Sequence, residues 1–600
     1  MSASTISLDI SSLREAYRGG LSPREVIETV CERVTAAADN PIWIATVARD
    51  KLLAQADALP GAGAMDSLPL YGVPFAVKDN IDVAGMPTTA ACPDFSYVPT
   101  RNAPAVDHLL AAGAVLIGKN NLDQFATGLV GVRSPYGAVQ NAFNPAYISG
   151  GSSSGSAVAV AAGMASFALG TDTAGSGRIP AGFNNLVGLK PTRGTVSATG
   201  VVPACRSLDV VSVFALTCAD AKNVFSAINR YDPNDSLARS HRAQVAGPGS
   251  AFRCGIPSTA TLEFCGDHES AEQFSLACAR MRSLGAELVE IDLQPFLDVG
   301  GLLYSGPWVA ERYAAIRTFF ERRPDSILPV TRAVIGGAMK YSAADAFDGS
   351  YRLAALRRHT ESVWEKIDCL LVPTAPTVYT ISEVEADPID LNTTLGYYTN
   401  FVNLLDLCAI ALPVGFRSDG LPSGATIIAP PLRDDWLCDL GTRFARAGGL
   451  PLGATGHLLP SRPNAPEPAT VAQGYTRIAV VGAHLAGQPL NHQLTERGAR
   501  LASCCRTSPH YRLYAIDGTR PPKPGLVRGD AGSAIEVEVW ELPTEHFGSF
   551  VAAIPPPLGI GTLTLEDGSE VKGFICESHA VAGAQDISSF GGWRNYLAAG

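Results

Sequence analysis

The chain contains no Cys-x-x-Cys pair, and its 13 cysteines are scattered, with only Cys504 and Cys505 adjacent. That excludes the paired spacing of a structural zinc site, and a disulfide framework is not expected in 600 residues. Charge is scarce as well. Only 17% of residues are charged, and the net charge is −11 with a pI near 5.5. Such a balance argues against nucleic acid or an anionic membrane as partner. The longest run of small apolar residues, 157–170, is too short and too rich in Ala and Gly to span a bilayer. Met1-Ser2-Ala3-Ser4-Thr5 lacks a basic region followed by an apolar core, so no secretory leader is expected. Ten histidines are present, and the five beyond residue 470 have no compact ligand spacing, so no metal is expected. These absences set the expectation of a cytoplasmic protein with reduced thiols.

What is present is apolar. A hydrophobic content of 46% describes a well-buried globular chain, and its length calls for two or three domains. The distinctive stretch runs Ser149-Gly150-Gly151-Ser152-Ser153-Ser154-Gly155-Ser156 and continues at Gly170-Thr171-Asp172-Thr173-Ala174-Gly175-Ser176-Gly177-Arg178. Between them, Ala157 to Leu169 reads as one buried helix. Glycines let backbone N–H groups approach a shared space, and N–H groups converging beside a serine suit acyl transfer. A flexible linker or a phosphate cradle remain open from the residues alone, although the Gly-Lys-Ser/Thr ending of a P-loop is missing.

With Tyr71-Gly72-Val73-Pro74-Phe75-Ala76-Val77-Lys78-Asp79-Asn80 upstream, these segments resemble the amidase signature family. Its pattern is a lysine after an apolar strand, a Gly-Gly-Ser-Ser turn and a Thr-Asp-x-Gly-Gly-Ser turn. Two departures are small: Ser154 and Ala174 stand where the family often has glycine. The resemblance covers roughly Leu8 to Leu459 and implies an α/β fold, a mixed β-sheet core covered by helices. It also implies that Ser176 is the nucleophile, Ser152 the bridging serine after a cis peptide and Lys78 the base. The N–H groups of Thr173, Ala174, Gly175 and Ser176 would receive the oxyanion. Asp172 and Arg178 are expected to pair and pin the nucleophile turn. An ordinary lysine, with a pKa of about 10.4, is almost wholly charged at pH 7; bringing it near 7 takes about 4 kcal/mol, mostly desolvation. The apolar strand before Lys78 supplies such surroundings, and no histidine stands near these motifs, which disfavours a Ser-His-Asp scheme.

Tyr304 and Arg312 lie eight residues apart, about two turns on roughly one face if the stretch is helical throughout, although Pro307 interrupts its first turn. The stretch resembles the substrate-reading helix of allophanate hydrolases within the family, where these two residue types hold the substrate carboxylate. The Pro-rich segment 460–470 reads as a linker between an amidase signature domain, 1–459, and a smaller domain, 471–600. The latter has strand-like runs at Ile478–Val481, Ala534–Leu542 and Gly561–Leu565, a β-rich α+β pattern. It resembles the γ-glutamyl cyclotransferase-like fold, with Glu538 at the glutamate position. The binding turn departs from that pattern, reading Val481-Gly482-Ala483-His484. An amidase followed by such a domain is the layout of allophanate hydrolases.

The resemblance thus implies hydrolysis of a small carboxylate-bearing amide without a cofactor, with His492 and Glu538 as candidates for aiding decarboxylation of the product. It also implies a homo-oligomer working beside a urea or biuret pathway enzyme. A general amidase or amidotransferase-type subunit on another amide, and a catalytically silent scaffold, are the alternatives.

Overall fold

In the computed structural model, the described residues are 6–240, 244–245, 247–248, 251–459, 475–516, 518–566 and 568–599. The expected linker at 460–470 and the opening Met1–Thr5 lie outside them. The chain divides into two compact units, one of residues 1–241 and 250–462, the other of 463–600 with the short segment 242–249.

Among the described residues of the first unit, eleven strands form one mixed sheet. In chain order they are β1 (Trp43–Thr46), β2 (Pro74–Lys78), β3 (Val115–Asn120), β4 (Phe167–Asp172), β5 (Val187–Lys190) and β6 (Val210–Ala215). There follow β7 (Phe252–Pro257), β8 (Ala286–Ile291), β9 (Cys369–Pro373), β10 (Cys408–Phe416) and β11 (Pro422–Ala429). Their spatial order is β1-β3-β2-β4-β6-β5-β10-β11-β9-β7-β8. β2 runs parallel to β3 and β4, whereas β4, β6, β5, β10 and β11 follow one another antiparallel. β2, β3, β4, β5, β6 and β9 are buried along their whole length, which explains why they read as unbroken apolar runs rather than alternating ones.

Two of the sequence-predicted residues fall at matching strand ends. β2 ends at Lys78 and β4 at Asp172, and the two strands are parallel neighbours, so both open into turns on the same side. The expected single helix over 157–169 is instead a helix, Ser154–Ala161, followed by β4 from Phe167. Gly163, with φ of +68°, ends the helix in the left-handed region that glycine adopts without a Cβ penalty. The next residues, Phe167-Ala168-Leu169, take the slot between β2 and β6, where sheet burial outweighs the helix preference of alanine. The first turns of the chain follow local rules. Helices Ile10–Arg18 and Pro23–Ala36 are separated at Gly19-Gly20, and Ser22 and Glu25 close a capping box.

The second unit is β-rich. A five-stranded sheet contains Tyr475–Val480, Arg500–Arg506, Glu536–Pro543, Leu558–Thr564 and Glu570–Cys576; a three-stranded sheet contains Tyr511–Ile516, Lys523–Arg528 and Gln585–Asp586. Helices Thr544–Ala552 and Trp593–Ala599 add the α part. Ile478, Val480, Val537, Val539 and Leu563 meet in its core.

Candidate active site

Lys78 is wholly buried at the end of β2. Its Nζ donates to Ser152 Oγ at 2.7 Å and to Thr171 Oγ1 at 2.8 Å. A second buried lysine, Lys119 on β3, pairs with Asp79 at 2.9 Å; Lys78 makes no ion pair among the described residues. Burial pushes the Lys78 ammonium down to about 7, against the pull of Asp123, Asp209 and Asp172, while Arg312 adds to the fall. A substantial fraction of the amine is then neutral near pH 7.

Ser152 follows a cis peptide from Gly151. A Cβ on Gly151 would lie 2.0 Å from Asp123 Oδ2 and 2.6 Å from the Gly131 nitrogen, so only glycine fits. Asp123 accepts from the N–H groups of Val130, Gly131 and Arg133, and its own N–H donates to the Ser152 carbonyl at 3.0 Å. Asp123 thereby ties the Ser152 turn to the loop at 130–133.

Ser176 lies on the turn between β4 and the helix Ile179–Phe183, almost fully buried. Among the described residues, no protein atom hydrogen-bonds its hydroxyl, and the N–H groups of Thr173, Ala174, Gly175 and Ser176 have no protein acceptor. The turn is fixed from behind. Arg178 Nε and Nη2 donate to the two Asp172 oxygens at 2.9 Å each, and Gly177 N–H donates to Oδ2 at 3.0 Å. Burial raises the Asp172 carboxyl, but Arg178, Lys190 and the Gly177 N–H outweigh it and hold the group below its ordinary value. Thr173 Oγ1 donates to Asp209 Oδ1, while burial pushes Asp209 up to about 6. Asn403 Nδ2 donates to the carbonyls of Asp172 and Leu208.

Tyr304 and Arg312 do not share a helix. Tyr304 belongs to Gln294–Ser305 and Arg312 to Trp308–Arg322, with Gly306-Pro307 between the two. They meet across that break: Arg312 Nη2 donates to the Tyr304 hydroxyl at 3.2 Å, and the guanidinium carbon stands 5.2 Å from the Tyr304 ring centre. Nη1 donates to Thr127 Oγ1 at 3.2 Å and to the Ala126 carbonyl at 3.4 Å. Arg312 is 2% exposed, its Nε has no partner, and it makes no ion pair among the described residues. The buried guanidinium thus keeps donors free and pairs with no carboxylate among the described residues, although Asp209 and Glu311 contribute negative charge nearby.

The family model for amidases matches residues 25–438. The chain belongs to the amidase family. A second model, the allophanate hydrolase C-terminal domain, matches residues 476–598. Urea amidolyase of Saccharomyces cerevisiae is 43% identical over 588 residues, which is 95% of this chain but 32% of that protein. Urea amidolyase of Lachancea kluyveri is also 43% identical, over 94% of this chain and 31% of its own length. The chain therefore spans about a third of the length of these two relatives. A solved structure of Kluyveromyces lactis allophanate hydrolase superposes with a TM-score of 0.85 at 42% identity, covering 99% of this chain and 100% of that one.

In this amidase chain, sequence reasoning passed over Thr171, Asp123, Asp209 and Asn403. Thr171 could have been found, since it precedes Asp172 in the quoted motif. Asp209 carries no local signal, and Asn403, on the short helix Phe401–Leu404 within a segment that follows the amidase pattern, reaches the turn only through the tertiary fold. In the second unit, Glu538 is buried and saturated. It accepts from Ala486 N–H at 2.8 Å, Trp540 Nε1 at 3.0 Å and Arg594 Nη2 at 2.6 Å. His492 is exposed, with Nδ1 2.9 Å from the Pro489 carbonyl, and no hydrogen bond links it to Glu538 among the described residues. The 481–484 turn faces a cavity of about 20 Å³, too small for a substrate. Pro524 fills the space beside Gly482, where a Cβ would meet its Cδ at 2.3 Å, and the His484 ring stacks on Phe574.

Proposed function

We propose that the chain is an allophanate hydrolase, cleaving the terminal amide of urea-1-carboxylate through an acyl-enzyme on Ser176. The observation that carries the substrate is Arg312, a buried guanidinium with no carboxylate partner, in the same unit as the Lys78–Ser152 pair. The extent of likeness to the Kluyveromyces lactis protein supports the same reading.

Neutral Lys78 takes the Ser152 hydroxyl proton as Ser152 takes that of Ser176. Ser176 Oγ forms a bond to the terminal amide carbon. The oxyanion lies against the N–H groups of Thr173, Ala174, Gly175 and Ser176, already oriented and without protein acceptors to give up. The proton returns through Ser152 to the leaving nitrogen, the C–N bond breaks and ammonia departs. Water, deprotonated by the same relay, adds to the acyl carbon and frees Ser176 together with carboxycarbamate. Arg312 and the Tyr304 hydroxyl hold the substrate carboxylate throughout. The second unit assists decarboxylation of the carboxycarbamate, with His492 as the exposed group and Glu538 ordering the strand beneath it; removing residues 471–600 then leaves ammonia release intact and slows carbon dioxide release. The protein works in the cytosol as a homo-oligomer, supplied by a urea- or biuret-processing enzyme. Among the described residues no helix is long and apolar enough to cross a membrane.

Ammonia release from allophanate and from neutral biuret, by wild type and Arg312→Ala, tests the reading. Loss of a desolvated charge-assisted contact costs about 2–5 kcal/mol, so allophanate turnover should fall at least thirtyfold while biuret is spared. Equal turnover of both substrates, unchanged in the variant, leaves a general amidase.

A further inference from the structure

Between the nucleophile turn and the helix that carries Arg312 runs one short loop, residues 204–209. It is closed on itself, for the N–H groups of Leu208 and Asp209 both donate to the Cys205 carbonyl, at 2.8 and 2.9 Å. Each end grips a different part of the site. Toward the helix, Ser207 N–H donates to Glu311 Oε1 at 2.6 Å and Ser207 Oγ to Oε2 at 2.8 Å. Cys205 Sγ donates to the Trp308 carbonyl in the first turn of the same helix at 3.5 Å. Toward the nucleophile, Asp209 accepts from Thr173 Oγ1 on one side and from the N–H groups of Ala204 and Cys205 on the other. Asn403 spans the Leu208 and Asp172 carbonyls with its two amide hydrogens.

Glu311 is the residue before Arg312, so the two-bond grip of Ser207 on its carboxylate fixes the first turn of the helix and the root of the guanidinium. Two residues further on, Asp209 fixes Thr173, the first residue of the oxyanion turn. We propose that Ser207 and Glu311, with Asp209 at the far end, are positioning residues that set one spacing between the carboxylate-reading guanidinium and the oxyanion turn. The brace is a ruler matched to a substrate whose scissile carbonyl and carboxylate are joined by a single nitrogen. It rests on the reading of Arg312 given above. A substrate held at both ends reacts fast only when the two subsites are in register, because misplacement by an ångström costs about a hundredfold. A reagent that engages Ser176 alone has no need of the brace.

The test uses Glu311→Gln and Ser207→Ala, each alone and combined with Arg312→Ala, in the full chain. Two rates are read: steady-state allophanate hydrolysis, and labelling of Ser176 by an uncharged fluorophosphonate. Glu311→Gln should lower kcat for allophanate about tenfold with KM within about twofold, and Ser207→Ala about threefold, since it leaves the Ser207 N–H bond in place. Labelling should stay within about twofold of wild type in both, and neither change should add to the loss already present in Arg312→Ala. Loss of labelling in parallel with hydrolysis, or the same further loss in the Arg312→Ala background, marks a general structural role and overturns the brace. Unchanged hydrolysis in both single variants overturns it too. Failure of the substrate reading shows separately, in Arg312→Ala alone, as unaltered allophanate turnover.

Discussion

Lys78 Nζ and Ser152 Oγ stand 2.7 Å apart with both residues wholly buried, and the lysine has no ion pair among the described residues to hold its charge. Two neutral acceptors, Ser152 and Thr171, replace the water that an ammonium would keep. Burial without a paired carboxylate turns a strong base into one poised at the working pH.

The acid limb of the pH–rate profile follows from this. With Lys78 at about 7, kcat/KM for allophanate should fall tenfold per pH unit well below 7 and level off above about 8. The unfolded chain, with an ordinary lysine, binds the Lys78 proton more tightly than the folded chain. This group therefore makes stability rise with pH from about 7 to about 10, and adds nothing to the slope below 7. An acid limb that stays near 7 in a Lys78 variant retaining activity would assign it elsewhere.

Thr171→Val keeps the shape of the side chain and removes one of two acceptors from Lys78 Nζ, along with an acceptor for Asn80 Nδ2. A hydrogen bond donated by Nζ favours the charged form, so its loss should move the acid limb below 7. A fall in kcat of about tenfold should accompany the shift, as the amine loses part of its orientation. Rate measurements across pH 5–9 read both effects.

Asp172 and Arg178 are wholly buried and bonded twice. Asp172→Ala leaves the guanidinium uncompensated and should cost about 3–5 kcal/mol in urea unfolding. The double variant Asp172→Ala/Arg178→Met should recover part of that loss without recovering activity, because the Gly177 N–H still lacks its acceptor.

Gly175→Ala places a Cβ 2.4 Å from Thr399 Oγ1 and 2.9 Å from its Cβ. The turn must then move away from Thr399, carrying the N–H groups at 173–176 with it. Loss of a single oxyanion donor costs about 10²–10³ in kcat, and a displaced turn should lose at least that much, with little change in KM. Near wild-type kcat in this variant would remove the turn from oxyanion stabilisation.

The contact of Lys78 with Ser152, the paired Asp172 and Arg178 and the β-rich second unit were legible because each rests on short local motifs. Gly-Gly-Ser-Ser, the Thr-Asp turn and an apolar run ending in lysine are local patterns imposed by local needs: tight turns, close approach and burial. The single helix expected over 157–169 failed for the opposite reason. Alanine favours a helix locally, but the slot between β2 and β6 exists only once distant strands have paired, and it claims Phe167 to Asp172. The Gly306-Pro307 break marked the interruption without showing that Tyr304 and Arg312 would meet across it.

By itself, then, the order of residues determined which groups could do chemistry here: two serines, a lysine and an arginine carried on local motifs. Tertiary structure decided what those groups are. It lowers the Lys78 pKa by removing water, leaves Arg312 without an anion and brings Asp209 and Asn403 behind a turn to which neither is local in sequence. Desolvation and long-range hydrogen bonding depend on what surrounds a side chain in three dimensions, and adjacency along the chain does not specify that.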